Sequence, residues 1–376
     1  MQQLLPLAVV ATASATAAAS SSSGTPVRPN IIFIMADDQD GNRVRQDYAD
    51  YLPTHRYLRD HGTTFVNHCA DSPQCGPSRA ATLSGRLPHN NGFLENGDTS
   101  GASIAAWNQL RNQTIGTYLT QAGYHAAFAG KWVNGDACSS MPLTADGSPT
   151  WASWAQLCNT YILYNSSYAD PAAPGGLRVE TGIHQSDSLA IQAVSQMHLA
   201  IAASKPFYLH WTPVAPHEST CHGCDGAHVH ERRDRAACAS LYPKDGGEVG
   251  GEGGENYGLF GRPCPAIRHR GLFLNLTMPR SPSWNRSSNA PVSFTAFAKY
   301  LSANESREID RTWVARLQAL MSVDEMVGKI IAEVKALGIE QSTYLFYTSD
   351  NGYHLGTWPD LKMPDLHLAQ PDPTSH

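Results

Sequence analysis

The sequence predicts an α/β fold built on a mostly parallel central sheet covered by helices. Short, continuous apolar runs alternate along the chain with stretches of helical spacing, the pattern of strands joined by crossover helices. Polar residues also cluster directly after such runs, at Asp37-Asp38, Lys131, His217 and Asp350-Asn351. Open α/β sheets place their ligands at these strand carboxyl ends.

The elements follow in chain order. Asn30 to Met35 is apolar on both faces, as a buried parallel strand requires, and runs into Ala36-Asp37-Asp38. Leu52 to His61 reads as a helix closed by Gly62, and Thr63 to Val66 as a second strand. Pro77 to Leu83 reads as a helix opening on proline, whose missing N–H costs nothing in a first turn. Ile115 to Gln121 is a helix stopped at Gly123, and Tyr124 to Ala129 is a strand ending at Gly130-Lys131. Ser188 to Ala203 is helical, and Phe207 to Trp211 is a strand leading to Pro213, Pro216 and His217. From Ile309, the residues Trp313, Leu317, Leu320, Val323, Val327, Ile330, Val334 and Leu337 recur at helical spacing until Gly338. Thr343 to Thr348 is the last strand. Residues 218–265 break the pattern with Gly, His, Cys and charge, and read as a surface insertion. Its Cys221, Cys224, His222, His228 and His230 could hold zinc, although disulfides suit an extracellular chain better.

Composition narrows the classes. Lys plus Arg number 27 and Asp plus Glu 33 in 376 residues, giving a formal charge of −6. That acidity excludes a general nucleic-acid binder, which carries a basic footprint. A charged fraction of 16% is too low for a coiled coil or a charge-driven disordered chain. Beyond the N-terminus no apolar run is long enough for a membrane span. Leu4 to Ala19 reads as a secretory signal peptide over residues 1–19, with 20–27 as a linker. Five N-x-S/T sequons, at Asn112, Asn165, Asn275, Asn285 and Asn304, fit a glycoprotein. Together these point to a secreted chain, extracellular or in a cell-wall or periplasmic space. Eight cysteines would then mostly pair. Proximity alone makes Cys138 with Cys158, and Cys221 or Cys224 with Cys238 or Cys264, plausible pairs, and the sequence does not fix the pairing. With Cys75 kept for chemistry, seven remain and one is free or paired between chains.

The sharpest stretch is Cys75-Gly76-Pro77-Ser78-Arg79-Ala80-Ala81-Thr82-Leu83-Ser84-Gly85-Arg86. It resembles the signature of the type I sulfatases, in which the cysteine of C-x-P-S-R is oxidised to formylglycine. Asn30 to Asp40, Gly130-Lys131, Ala215-Pro216-His217 and Ser349-Asp350-Asn351-Gly352 resemble further motifs of that family, in the family's order. The resemblance covers about Arg28 to Gly356. Asp37-Asp38-Gln39-Asp40-Gly41, Lys205-Pro206-Phe207-Tyr208, Ser322-Val323-Asp324-Glu325 and Asp350 to Gly356 look closest to fungal and green-algal arylsulfatases, with N-acetylglucosamine-6-sulfatase a near relative.

The resemblance implies an alkaline-phosphatase-like sandwich that hydrolyses sulfate esters, on a small molecule or a sulfated glycan, to an alcohol or phenol plus sulfate. It implies a metal site of Asp37, Asp38, position 75, Asp350 and Asn351. Four of these five are oxygen donors, which suit a hard cation, Ca²⁺ before Mg²⁺. Cys75 would be converted by a formylglycine-generating enzyme, and its hydrated aldehyde would attack sulfur and later expel sulfate. The nucleophile would lie at a helix N-terminus, where N–H groups favour an anion. Arg79 would support this group and the metal cluster. Lys131 would bind the sulfate and the leaving oxygen, and His217 would protonate the leaving group. Gln39 and Asp40 would do no more than support the ligands.

Two positions depart from the family. Val133 stands where many sulfatases have a histidine two residues after the lysine, with Asn134 a weak substitute. After Gly356 the resemblance stops, Lys362 falls about two residues early for a second sulfate-binding lysine, and residues 357–376 read as a tail outside the family. The expectation is a sulfatase fold lacking its C-terminal subdomain, with a raw sheet edge and uncovered apolar surface. Two alternatives stay open: a non-catalytic chain that binds a cation or sulfated ligand, and a phosphoester or phosphonate hydrolase on the same fold. The oxygen-donor single-metal set disfavours the second.

Overall fold

A computed structural model of the chain describes residues 28–41, 48–97, 99–136, 138, 141–219, 262–280, 284–285, 300–353 and 355–356. The leader, most of the insertion and the tail after Gly356 lie outside the described residues, as do Cys221, Cys224 and Cys238.

Among the described residues seven strands form one sheet: β1 (Asn30–Ala36), β2 (His125–Gly130), β3 (Ser153–Leu157), β4 (Ser167–Ala169), β5 (Leu177–Val179), β6 (Phe207–Thr212) and β7 (Thr343–Ser349), in the order β5-β4-β3-β2-β6-β1-β7. From β3 to β7 every pairing is parallel, and β4 and β5 add an antiparallel edge. Registers are set by pairs such as Ile32 with Leu209 and Ile32 with Leu345. The sheet is mostly parallel, as the apolar runs predict.

The helices are α1 (Pro53–His61), α2 (Cys75–Ser84), α3 (Pro88–Asn91), α4 (Ala102–Leu110), α5 (Ile115–Gln121), α6 (Gln185–Ala202) and α7 (Ala303–Ala336). Alternation along β1 explains why both faces need cover. Ile32 and Ile34 join a core with Leu189, Ala193 and Met197 of α6 and Val323, Val327 and Ile330 of α7. Ile31 and Phe33 point the other way, toward Ala80 and Leu83 of α2 and the indoles Trp107, Trp132, Trp151 and Trp154. Burying each such aliphatic side chain is worth about 1.5–3 kcal/mol. A third cluster holds the first half of α7, through Ile309, Trp313 and Leu317, against Tyr48, Leu52, Met278 and Leu355.

Several expectations need correction. Thr63 to Val66 is not a strand: it has no sheet partner, and Phe65 is 72% exposed. β3, β4 and β5 escape the apolar-run criterion. The second helix begins at Cys75, two residues before Pro77. The long helix begins at Ala303, where Ser302 and Glu305 close a capping box. Cys138 and Cys158 are disulfide-bonded, Cys264 is also disulfide-bonded, and Cys69 is exposed. Among the described residues β7 forms one edge, with Tyr344 and Phe346 exposed on it.

Candidate active site

Four neighbouring strands, β2-β6-β1-β7, end on the same side of the sheet because they run parallel. Each delivers polar residues there. β1 leads into Asp37 and Asp38, β2 into Lys131, β6 into Pro216 and His217, and β7 into Asp350 and Asn351. Backbone contacts continue past the strands: Asp37 bridges to Pro216, Asp350 N donates to Ala36 O at 3.1 Å, and Lys131 N to Thr212 O at 2.9 Å. Gly130 makes the last contact feasible. Its φ is +118°, and a Cβ there would meet the Thr212 carbonyl oxygen at 2.3 Å. Helix α2 then places Cys75 as its first residue, Ser78 Oγ donating to Asp350 O at 2.6 Å and Gly76 N to Asn96 Oδ1 at 2.9 Å.

Every residue expected in the site is present there and buried: Asp37, Asp38, Cys75, Arg79, Lys131, His217, Asp350 and Asn351. Cys75 Sγ donates to Asp37 Oδ1 at 3.3 Å, and Lys131 Nζ to Asp37 Oδ2 at 2.5 Å. Arg79 Nε donates to Asp350 Oδ2 at 2.8 Å and Nη1 to Lys131 O at 2.8 Å, tying the β7 and β2 ends together. Asp350 Oδ1 also accepts from Asp38 N at 3.1 Å and Asn351 N at 2.8 Å. His217 Nε2 lies 3.5 Å from Asp38 Oδ2, and its Nδ1 lies 2.8 Å from Glu218 O. A carbonyl only accepts, so Nδ1 carries the proton and Nε2 is the nitrogen turned to the site.

The electrostatics follow from burial and from the crowding of charges. Burial pushes the Asp37 carboxyl up, but Lys131, His217 and Arg79 outweigh it and hold Asp37 well below the carboxylate range. Burial, together with Asp37 and Asp38, raises Asp350 to about 7 despite Arg79 and Lys131. Burial and Asp37 push the Cys75 thiol well up, so the unmodified side chain is a neutral thiol. Burial lowers the Lys131 and Arg79 values, and the carboxylates more than restore them, so both are cations. Burial lowers His217, with Asp37 opposing.

The carboxylate and amide oxygens of the site suit a hard divalent cation. One ligand atom each from Asp37, Asp38, Cys75 and His217 lie within 4.8 Å of one another. Asn351 Oδ1 is buried with no hydrogen-bond partner among the described residues, an orphaned oxygen of the kind a cation satisfies. Asp350 stands beside Asp38, whose N–H donates to Asp350 Oδ1.

Sequence reasoning missed Tyr161, from the loop between β3 and β4. Its ring stacks on the His217 imidazole, with centroids 4.6 Å apart at 26°, and Lys131 Nζ lies 5.0 Å from the ring centre. Asn134 Nδ2 donates to the Tyr161 hydroxyl at 3.1 Å, so Asn134 meets the site through tyrosine. No motif surrounds Tyr161. Asp40 and Gln39 are buried, with Tyr353 N donating to Asp40 Oδ1 at 2.7 Å and Gln39 N to Ser349 Oγ at 2.9 Å.

The Sulfatase family model matches residues 29–372, and the chain belongs to that family. Among its relatives, an arylsulfatase of Volvox carteri is 29% identical over 363 residues, 93% of this chain and 50% of the relative. An N-acetylglucosamine-6-sulfatase of Capra hircus is 25% identical over 334 residues, 88% of this chain and 51% of the relative. The chain spans about half the length of these curated relatives. A solved structure described as a complex with its substrate D-glucosamine-2-N,6-O-disulfate aligns at TM-score 0.54 and 20% identity, over 92% of this chain and 70% of that one. That likeness shows the alkaline-phosphatase-like sulfatase fold.

Proposed function

We propose that the protein is a secreted, formylglycine-dependent sulfuric ester hydrolase of arylsulfatase type, with one divalent cation, Ca²⁺ before Mg²⁺. One observation carries the reading: Cys75 opens a helix amid the buried Asp37, Asp38, Asp350 and Asn351, with Arg79, Lys131 and His217 on the same cluster. Asp37, Asp38, Asp350, Asn351 and position 75 would hold the cation, which when bound acts as a Lewis acid toward a sulfate oxygen. A formylglycine-generating enzyme would supply the modified side chain at position 75, whose hydrate is the nucleophile.

The chain's own side chains would do the rest. Arg79 fixes Asp350 and the Lys131 carbonyl, so two strand ends keep one spacing. Lys131 places an ammonium, desolvated and anchored on Asp37, where a sulfate oxygen and the leaving oxygen would lie. His217 turns Nε2 to the site; as an imidazolium, with its Nδ1–H held by Glu218 O, it would give the Nε2 proton to the departing alcohol or phenol, a contribution of roughly 10²–10⁴ in rate. The substrate would be an aryl sulfate or a sulfated sugar, the chemistries that the names of the Volvox relative and the solved neighbour carry. Residues 28–356 would form the catalytic domain, with 218–265 as a surface insertion and 1–19 as a secretory leader. Among the described residues no helix is long and apolar enough to cross a membrane.

The test uses protein secreted from its native host. Mass spectrometry of the Cys75 peptide should find the aldehyde or its hydrate. Nitrophenyl sulfate turnover should be abolished by chelation, restored by Ca²⁺, and absent in Cys75→Ala. An unmodified thiol on protein without turnover would overturn the proposal.

A further inference from the structure

Arg316 lies in the first half of α7 and is 1% exposed, yet no motif singles it out. Its guanidinium reaches three strand ends at once. Nη1 donates to Pro216 O at 3.1 Å, after β6. Nη2 donates to Asp38 O, after β1, and to Asp40 Oδ1 at 3.2 Å. The guanidinium carbon stands 4.6 Å from the centre of the Tyr353 ring, after β7. Asp40 adds to the clamp, accepting from Tyr353 N at 2.7 Å and from the Tyr48 hydroxyl at 3.1 Å.

Each gripped point adjoins a site residue. Asp38 is itself in the cluster, Pro216 precedes His217, and Tyr353 lies two residues after Asn351. Asp38 also has a φ of +62°, in the left-handed region that non-glycine residues seldom occupy. A residue keeps such a conformation only when its surroundings over-determine it, and the Asp38 carbonyl is bonded by Arg316 while its N–H is bonded by Asp350.

We propose that Arg316 is a positioning residue for the cation site: from α7 it fixes the backbone of Asp38 and Pro216, and so the meeting of the Asp38 carboxylate with His217 and Asn351. It acts on the ligand geometry without touching the reacting atoms. Arginine suits this because its planar fork bonds carbonyls of two loops and a carboxylate together, whereas a lysine ammonium concentrates its charge at one point. The inference rests on the cation reading above.

The test measures binding of calcium chloride alone, by calorimetry, to the full chain after chelation and dialysis. It is paired with thermal midpoints in chelator and in Ca²⁺. Arg316→Lys keeps a positive charge near Asp40, so it carries the test if Arg316→Met does not fold. Arg316→Lys should bind Ca²⁺ at least about tenfold weaker, about 1.4 kcal/mol, and lose most of the Ca²⁺-induced rise in midpoint. The control is Arg268→Met, which breaks the Asp187 and Glu325 pairs between α6 and α7. It should lower both midpoints equally and leave Ca²⁺ affinity unchanged. Folded Arg316 variants with wild-type Ca²⁺ affinity would overturn the proposal. A wild-type chain that binds neither Ca²⁺ nor Mg²⁺ would overturn the cation reading itself, and this inference with it.

Discussion

Replacing Gly130 by alanine should be among the most damaging single-methyl changes in the protein. The residue has a φ of +118°, and the added Cβ would meet Thr212 O at 2.3 Å, Thr212 Oγ1 at 2.5 Å and Thr212 C at 2.7 Å. Two of these atoms are backbone of a fully buried central strand and cannot swing aside. Three costs combine. A backbone held in a disfavoured region costs about 1–3 kcal/mol. Forcing a methyl into packed backbone costs about 1–3 kcal/mol. Loss of the Lys131 N to Thr212 O bond adds about 1 kcal/mol. The total, about 3–7 kcal/mol, is a large part of the 5–15 kcal/mol by which domains are usually stable. Gly85 supplies the internal control. It ends α2 with a φ of +67°, and nothing lies within 4 Å of its would-be Cβ, so Gly85→Ala pays only the left-handed penalty of about 1–2 kcal/mol. Urea unfolding followed by circular dichroism, with midpoints compared at unchanged m, separates the two. Equal destabilisation by Gly130→Ala and Gly85→Ala would refute the reasoning, because it would mean that the contact with Thr212 costs nothing.

Two further changes test the surroundings. Asp136 Oδ2 accepts from Trp107 Nε1 and Trp132 Nε1, each at 3.0 Å, and so holds the loop after Lys131. Asp136→Ala strands both indole N–H groups and should cost about 2–6 kcal/mol in urea unfolding, whereas Asp136→Asn keeps an acceptor there and should cost about 1; equal losses would sink this account. His184 caps α6 by accepting from Ser186 N, and burial lowers its pKa from the usual 6.5 to about 4. Between those values the unfolded chain binds the proton and the folded chain does not, so stability falls as pH drops from about 6.5 to about 4, by about 3 kcal/mol from this group. His184→Asn keeps a capping oxygen and should flatten the fall between pH 7 and pH 4.5 by about that amount; identical pH dependences would count against it.

What the sequence revealed follows from what each segment packs against. β1, β2, β6 and β7 read as apolar runs because their strands carry apolar residues on both faces, and β6 is buried at every position. β3 holds Gln156 among its buried residues, β4 has three residues, and β5 exposes Leu177 and Val179, so none presents a continuous run. Thr63 to Val66 has strand-forming residues but nothing to pair with, and strand propensity measures packing more than backbone preference. The start of α7 was hidden because its first turns, with Asn304, Glu305, Ser306, Arg307 and Glu308, lack apolar spacing, although Ser302 and Glu305 already spell a capping box. Site residues were legible where they directly follow a strand or open a helix. Tyr161 arrives from a loop, and Arg316 reaches the site from inside a helix whose apolar spacing masks it.

Charge accounts for the shape of the site better than any single contact. Asp37, Asp38 and Asp350 bring three buried carboxylates together, and Arg79 and Lys131 bring two cations, with burial keeping His217 toward its neutral form. Arg316 and Asp40 cancel each other at the edge. One surplus negative charge remains among these buried groups, and the raised Asp350 carboxyl is the chain's own response to it. A divalent cation reverses that surplus to one positive charge, and a sulfate monoester carries one negative charge. The site is therefore closest to neutral when cation and sulfate ester are both present. On the proposed reading each favours binding of the other, and a neutral analogue of the same shape gains no such help.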